Sequence, residues 1–71
     1  MTRYLIIIEK AEVGFSAYSP DVPGCMSTGA SPSEAEANMR DAIAAHLEEL
    51  REMGDPLPRP TSIAAYVEVA A

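Results

Sequence analysis

One histidine, one cysteine and eleven carboxylates are the side chains of this 71-residue chain from which chemistry could be built. His46 stands three residues after Ile43 and four before Leu50, on an apolar helical spacing. A general base needs an acid or nucleophile arranged around it, and the sequence indicates none, so His46 reads as a packing residue. Cys25 has no basic residue close by in sequence. A reactive thiol needs a nearby cation or a helix N-terminus to lower its pKa, so Cys25 reads as a small apolar side chain. One cysteine and one histidine allow neither an intrachain disulfide nor a multi-ligand zinc site. Nuclease chemistry on divalent metal needs several converging carboxylates. The natural anchor would be the middle of the first strand, but that strand reads Leu5-Ile6-Ile7-Ile8, with Glu9 only at its end. Glu34, Asp41 and Glu48 lie on a helix, where carboxylates ordinarily make a solvated face. The chain is expected to have no catalytic residue, no cofactor and no metal, and not to be an enzyme.

Asp21 is different. It lies in Ser19-Pro20-Asp21-Val22-Pro23-Gly24, a rigid loop in which Pro23-Gly24 suits the central pair of a type II turn. Held between prolines, its carboxylate is presented at a loop tip. Two readings stand side by side: an Asp favoured by turn geometry, or an acidic contact to a basic partner. Glu48, Glu49, Glu52 and Asp55 cluster near the end of a helix, where they oppose its dipole at a cost of ~0.3–1 kcal/mol each. They serve solubility, or steer a cationic partner. A net charge of −6 argues against neutralising nucleic-acid phosphates and suits a basic protein partner.

The elements that must position these residues follow from pattern. Arg3–Glu9 is apolar on both alternations, as a central strand is. Lys10–Gly14 makes a hairpin turn, Phe15–Tyr18 a second strand, and Cys25–Ala30 a weak third with Gly29 marking an edge or bulge. Ser31-Pro32-Ser33-Glu34 is a capping box with proline at the first helical position, Glu34 reaching back to the cap amide. The helix should run to about Met53, capped by Gly54 and stopped by Pro56. Its apolar stripe is Ala35, Met39, Ala42, Ile43, His46, Leu47, Leu50 and Met53. Asp55–Pro60 is a stiff tether, and Ile63–Val69 a last strand.

The order is strand, strand, strand, helix, strand, in one small domain over residues 1–71. The helix covers one sheet face, and the last strand is expected beside the first, parallel to it, through a right-handed crossover. The other face is expected to be covered by a second copy. Alanine supplies 12 of the apolar residues, so the core is small, and a domain this size is marginal alone. A homodimer or homotetramer is expected. The longest apolar run, Tyr4–Ile8, is far short of a membrane span, and no signal peptide is recognisable, so a cytoplasmic location is expected.

Tyr18–Cys25, then Thr28-Gly29-Ala30-Ser31 and Glu34-Ala35, then Asn38–Ile43 with Leu47, and finally Gly54–Pro60, together resemble the HicB antitoxin family. The resemblance covers Tyr4 to Val69. It implies a partial ribonuclease H-like α+β fold of β-β-β-α-β order, with one helix packed on a four-stranded mixed sheet. It implies a non-catalytic module that sequesters a small basic RNA-cleaving toxin, HicA, by occluding its RNA surface. Tyr18, Ser19, Pro20, Asp21, Val22, Pro23, Gly24 and Cys25 are the expected contact region. Such antitoxins often carry a C-terminal DNA-binding domain. Only Ala70 and Ala71 follow Val69 here, so direct DNA binding is not expected of this chain. The alternatives are a solitary domain of this type without a toxin, and a residual metal-dependent nuclease.

Overall fold

The computed structural model describes residues 1–71. Strands β1 (Ile7–Lys10), β2 (Phe15–Tyr18) and β3 (Met26–Gly29) precede one helix, α1 (Pro32–Met53). The strands form an antiparallel meander in the order β1-β2-β3. Ile8 faces Ala17 in the first ladder, and Ala17 faces Ser27 in the second. The β1–β2 turn is closed by the Ala11 amide donating to the Gly14 carbonyl at 3.0 Å.

Local chemistry at both ends of α1 follows the sequence closely. The Ser31 hydroxyl accepts from the Glu34 amide at 3.2 Å, and Pro32 opens the helix. Glu34 reaches back one residue further than the capping box anticipates: its carboxylate accepts from the Ala30 amide at 3.0 Å. At the other end Gly54 is left-handed, with φ 73°. The Asp55 amide then bonds the Leu50 carbonyl at 2.9 Å and the Gly54 amide bonds the Arg51 carbonyl at 3.2 Å. This is the paired arrangement by which a C-terminal glycine satisfies the last free carbonyls.

Ile8, Ala17 and Ser27 turn towards the helix. The core is Ala17, Val22, Ala35, Met39 and Ile43, with Tyr4, Ile6, Ile8, Phe15, Cys25 and Leu47 packed around it. The helix lies mainly over β3 and β2 and barely over β1. Gly29 is where it comes closest: a Cβ there would sit 2.4 Å from the Ala35 nitrogen. β3 is an edge strand, as its small residues suggest. Along the stripe, Ala35, Met39 and Ile43 are buried, and Ala42, His46, Leu47 and Leu50 half-buried. Met53 departs from it at 62% exposed. A 22-residue helix is ~33 Å long and outruns four-residue strands of ~13 Å.

Four expectations about the sheet are corrected. The sheet has three strands, not four, and it is wholly antiparallel rather than mixed. β1 consequently lies at an edge rather than in the centre, and it begins at Ile7 rather than Arg3. The physical reason is that a strand exists only with a neighbour. Ile63–Val69 has strand composition, yet every residue from Thr61 to Ala71 is exposed and joins no ladder. The chain therefore extends 48 Å along its longest axis, with a radius of gyration of 13.8 Å against ~11 Å for a compact domain of this length.

Candidate functional site

The loop between β2 and β3 is built from its backbone outwards. Ser19 is buried, and its hydroxyl donates to the Leu5 carbonyl at 2.7 Å, tying the loop to the chain before β1. The Val22 amide donates to the Ser19 carbonyl at 3.3 Å, and Val22 itself is fully buried. The Cys25 amide donates to the Val22 carbonyl at 3.2 Å across Pro23-Gly24, with Gly24 at φ 84°. That is the type II turn its dipeptide calls for. Of the eight residues expected to make a partner contact, Tyr18, Pro20, Pro23 and Gly24 are exposed, Asp21 and Cys25 half-buried, and Ser19 and Val22 buried. Burial pushes the Cys25 thiol pKa up, the opposite of what an activated thiol needs.

Asp21 has a use that neither sequence reading contained. Its carboxylate clasps the tether. One oxygen, Oδ2, accepts from the amides of Thr61 at 3.2 Å and Ser62 at 3.0 Å. The other, Oδ1, accepts from the hydroxyls of Thr61 at 3.2 Å and Ser62 at 2.8 Å. These bonds, the Ser62 amide foremost, hold the Asp21 carboxyl below its usual pKa against an opposing push from desolvation. The available signal was Thr61-Ser62 itself, a hydroxyl pair placed after a proline-rich tether. A second fastening lies upstream, where the Tyr4 hydroxyl donates to the Pro58 carbonyl at 2.7 Å.

The sheet face away from α1 carries an apolar row. Ile7 pairs with Tyr18 and Tyr18 with Met26, so the three side chains stand across the sheet on its open side. Tyr18 is 42% and Met26 69% exposed. The sequence singles out Tyr18 but not Ile7 or Met26, whose places beside it become clear only once the register is known. The opposite side of the molecule is acidic. Spacings of seven and four place Asp41, Glu48 and Glu52 on one line along the outer face of α1. Arg51 pairs with Glu48 at 2.9 Å and Arg40 with Glu36 at 3.5 Å, while Asp41, Glu49 and Glu52 are exposed and unpaired. His46 is half-buried on the inner face.

An open groove runs between the chain before β1 and α1, about 690 Å³ in volume, floored by Tyr4, Ile6, Ile43, Ala44 and Leu47. No three His, Cys, Asp or Glu side chains come together as a metal-binding group. No helix is long and apolar enough to cross a membrane.

The chain is similar to known proteins along nearly its whole length. Residues 4–70 match the family described as the HicB-like antitoxin of bacterial toxin–antitoxin systems. An uncharacterised 14.9 kDa protein of Haemophilus phage HP1 is 42% identical over 64 residues, which cover 90% of this chain and 48% of that protein. A UPF0150 protein of Thermoplasma acidophilum is 36% identical over 58 residues, covering 80% of this chain and 84% of that one. Among solved structures, the crystal structure of antitoxin HicB3 superposes with a TM-score of 0.68 at 40% identity, over 80% of this chain and 42% of that one. The chain thus spans about half the length of the phage protein and less than half of the antitoxin.

Proposed function

Because this chain belongs to the HicB-like antitoxin family, we propose that it is a non-catalytic binding module that sequesters a small basic RNA-cleaving toxin of the HicA type. It does so by occluding the toxin's RNA surface. The observation that carries this reading is the agreement of sequence and fold with an antitoxin of solved structure. The contact is made by the exposed part of the β2–β3 loop, Tyr18, Pro20, Pro23 and Gly24, extended across the open sheet face by Ile7 and Met26. An exposed aromatic beside an exposed methionine is the composition of interface cores rather than of ordinary surface. The net charge of −6 steers a cationic partner over distance and raises its association rate. Asp21 acts indirectly, by holding the tether against the loop, because its carboxylate is already engaged.

The test is a titration of the chain against a basic, toxin-like RNA-cleaving protein from the same source, with RNA cleavage followed in parallel. Tight binding that silences cleavage is expected. Tyr18→Ala combined with Met26→Ala should raise the dissociation constant at least ~10-fold, the loss of ~1.4 kcal/mol or more typical of aromatic contact residues. Thermal stability should barely change, because both side chains are exposed. A folded chain that leaves the toxin active refutes the reading and favours a toxin-free oligomer. Metal-dependent cleavage of an RNA–DNA hybrid by the chain alone would instead favour a residual nuclease.

A further inference from the structure

We propose that the C-terminal arm Ile63–Val69 is the fourth strand of a second copy's sheet, laid along that copy's open β1 edge and into the groove beside α1. The arm has the composition of a strand and the environment of none. Ile63 and Tyr66 are 91% and 100% exposed, and Val67 and Val69 are 85% and 76% exposed. Its alternation puts Ile63, Ala65, Val67 and Val69 on one face. The clasp at Asp21 holds Thr61 and Ser62, but no hydrogen bond joins any later residue to the rest of its own domain.

The receiving site is in the same chain. β1 is paired on one side only, with β2, so its other edge presents unpaired amides and carbonyls. Next to that edge a groove stands open, because α1 sits over β3 and β2; Tyr4, Ile6, Ile43 and Leu47 give it an apolar floor, and Arg3, Arg40 and Arg51 line it as well. One copy therefore holds a strand without an edge and an edge without a strand. The Asp21 clasp and the Tyr4–Pro58 bond fix where the arm departs, so the arm projects instead of folding back. A second copy related by a two-fold axis satisfies both needs at once, arm to edge and edge to arm, and closes with no strand edge left over at β1. Each arm is ~23 Å long at strand spacing, so an exchanged pair forms an extended interface. The inference goes beyond the toxin reading and concerns the chain alone.

The experiment uses the full chain without toxin. Sedimentation over a dilution series should give a dimer. Val67→Arg should weaken it at least ~30-fold, as loss of a buried interface anchor does. The far-UV circular dichroism of each copy should be retained, because Val67 is 85% exposed in its own domain. A second variant pairs Ile6→Cys with Val67→Cys in a Cys25→Ser background. Mild oxidation should yield covalent dimers, and mixing with tagged chain before oxidation should give tagged–untagged pairs. A monomeric wild type, a dimer indifferent to Val67→Arg, or a disulfide formed within one chain would overturn the proposal. An arm that binds only the toxin appears here as the monomeric outcome.

Discussion

Gly29→Ala tests the packing that joins the sheet to the helix. The added Cβ would meet the Ala35 nitrogen at 2.4 Å, the Glu34 carbonyl carbon at 2.9 Å and the Ala35 Cα at 3.0 Å. All three are backbone atoms, so no side chain can swing aside. Ordinary contact begins near 3.4 Å, so the helix must retreat by about 1 Å. It is held in place: Ala35 is fully buried, its amide bonds the Ser31 carbonyl at 3.0 Å, and its carbonyl accepts from the Ser27 hydroxyl at 2.8 Å. Overpacking against a fixed wall costs ~1–3 kcal/mol. At ~4–8 °C per kcal/mol for a chain of this size, the Tm should fall by about 10 °C. The assay is thermal unfolding by circular dichroism at one fixed protein concentration, since any association shifts Tm by mass action. Gly24→Ala is the control. Gly24 has nothing within 4 Å but stands at φ 84°, so alanine there is strained and not crowded, at a cost of ~1 kcal/mol. Gly29 has no positive φ, so its penalty is steric alone. A Gly29→Ala shift smaller than that of Gly24→Ala would refute the close-approach argument.

Three further outcomes follow from the loop. Asp21→Asn should speed hydrogen exchange at the Thr61 and Ser62 amides, because it removes the charge those amides bond. The pH dependence has a definite sign: the folded pKa of Asp21 is lowered, so its contribution is complete above the unfolded value of ~3.9 and is lost as pH falls through the lower folded one. Amide shifts of Ser62 titrated through that acid range would follow the loss, and invariance there would contradict the clasp. Cys25 should react slowly with iodoacetamide near neutral pH, since burial raises its pKa; a rate equal to that of a free thiol would contradict its placement.

The helix was legible because its signals are local. Ser31, Pro32, Glu34 and Gly54 satisfy backbone groups within a turn of themselves, and a period of three to four residues finds the buried face of Ala35, Met39 and Ile43 from spacing alone. The Pro23-Gly24 turn and the hairpin before Phe15 were legible for the same reason. The resemblance seen in the loop and helix motifs carried through to the family. What chain order could not supply was who pairs with whom. Arg3–Glu9 and Ile63–Val69 have the side chains of buried strands, and side chains report that burial is wanted, not which copy provides it. The sequence leaves Asp21 open between a turn-favoured residue and an acidic contact to a partner, because a carboxylate accepts from any donor that reaches it. Only the return of the tether over 40 residues brought Thr61 and Ser62 within bonding distance. The Ile7–Tyr18–Met26 row likewise needed the register of two ladders. Local hydrogen bonding and helical period are properties of neighbouring residues and can be read from them. Strand partners and long-range acceptors are set by chain closure, which exists only in three dimensions.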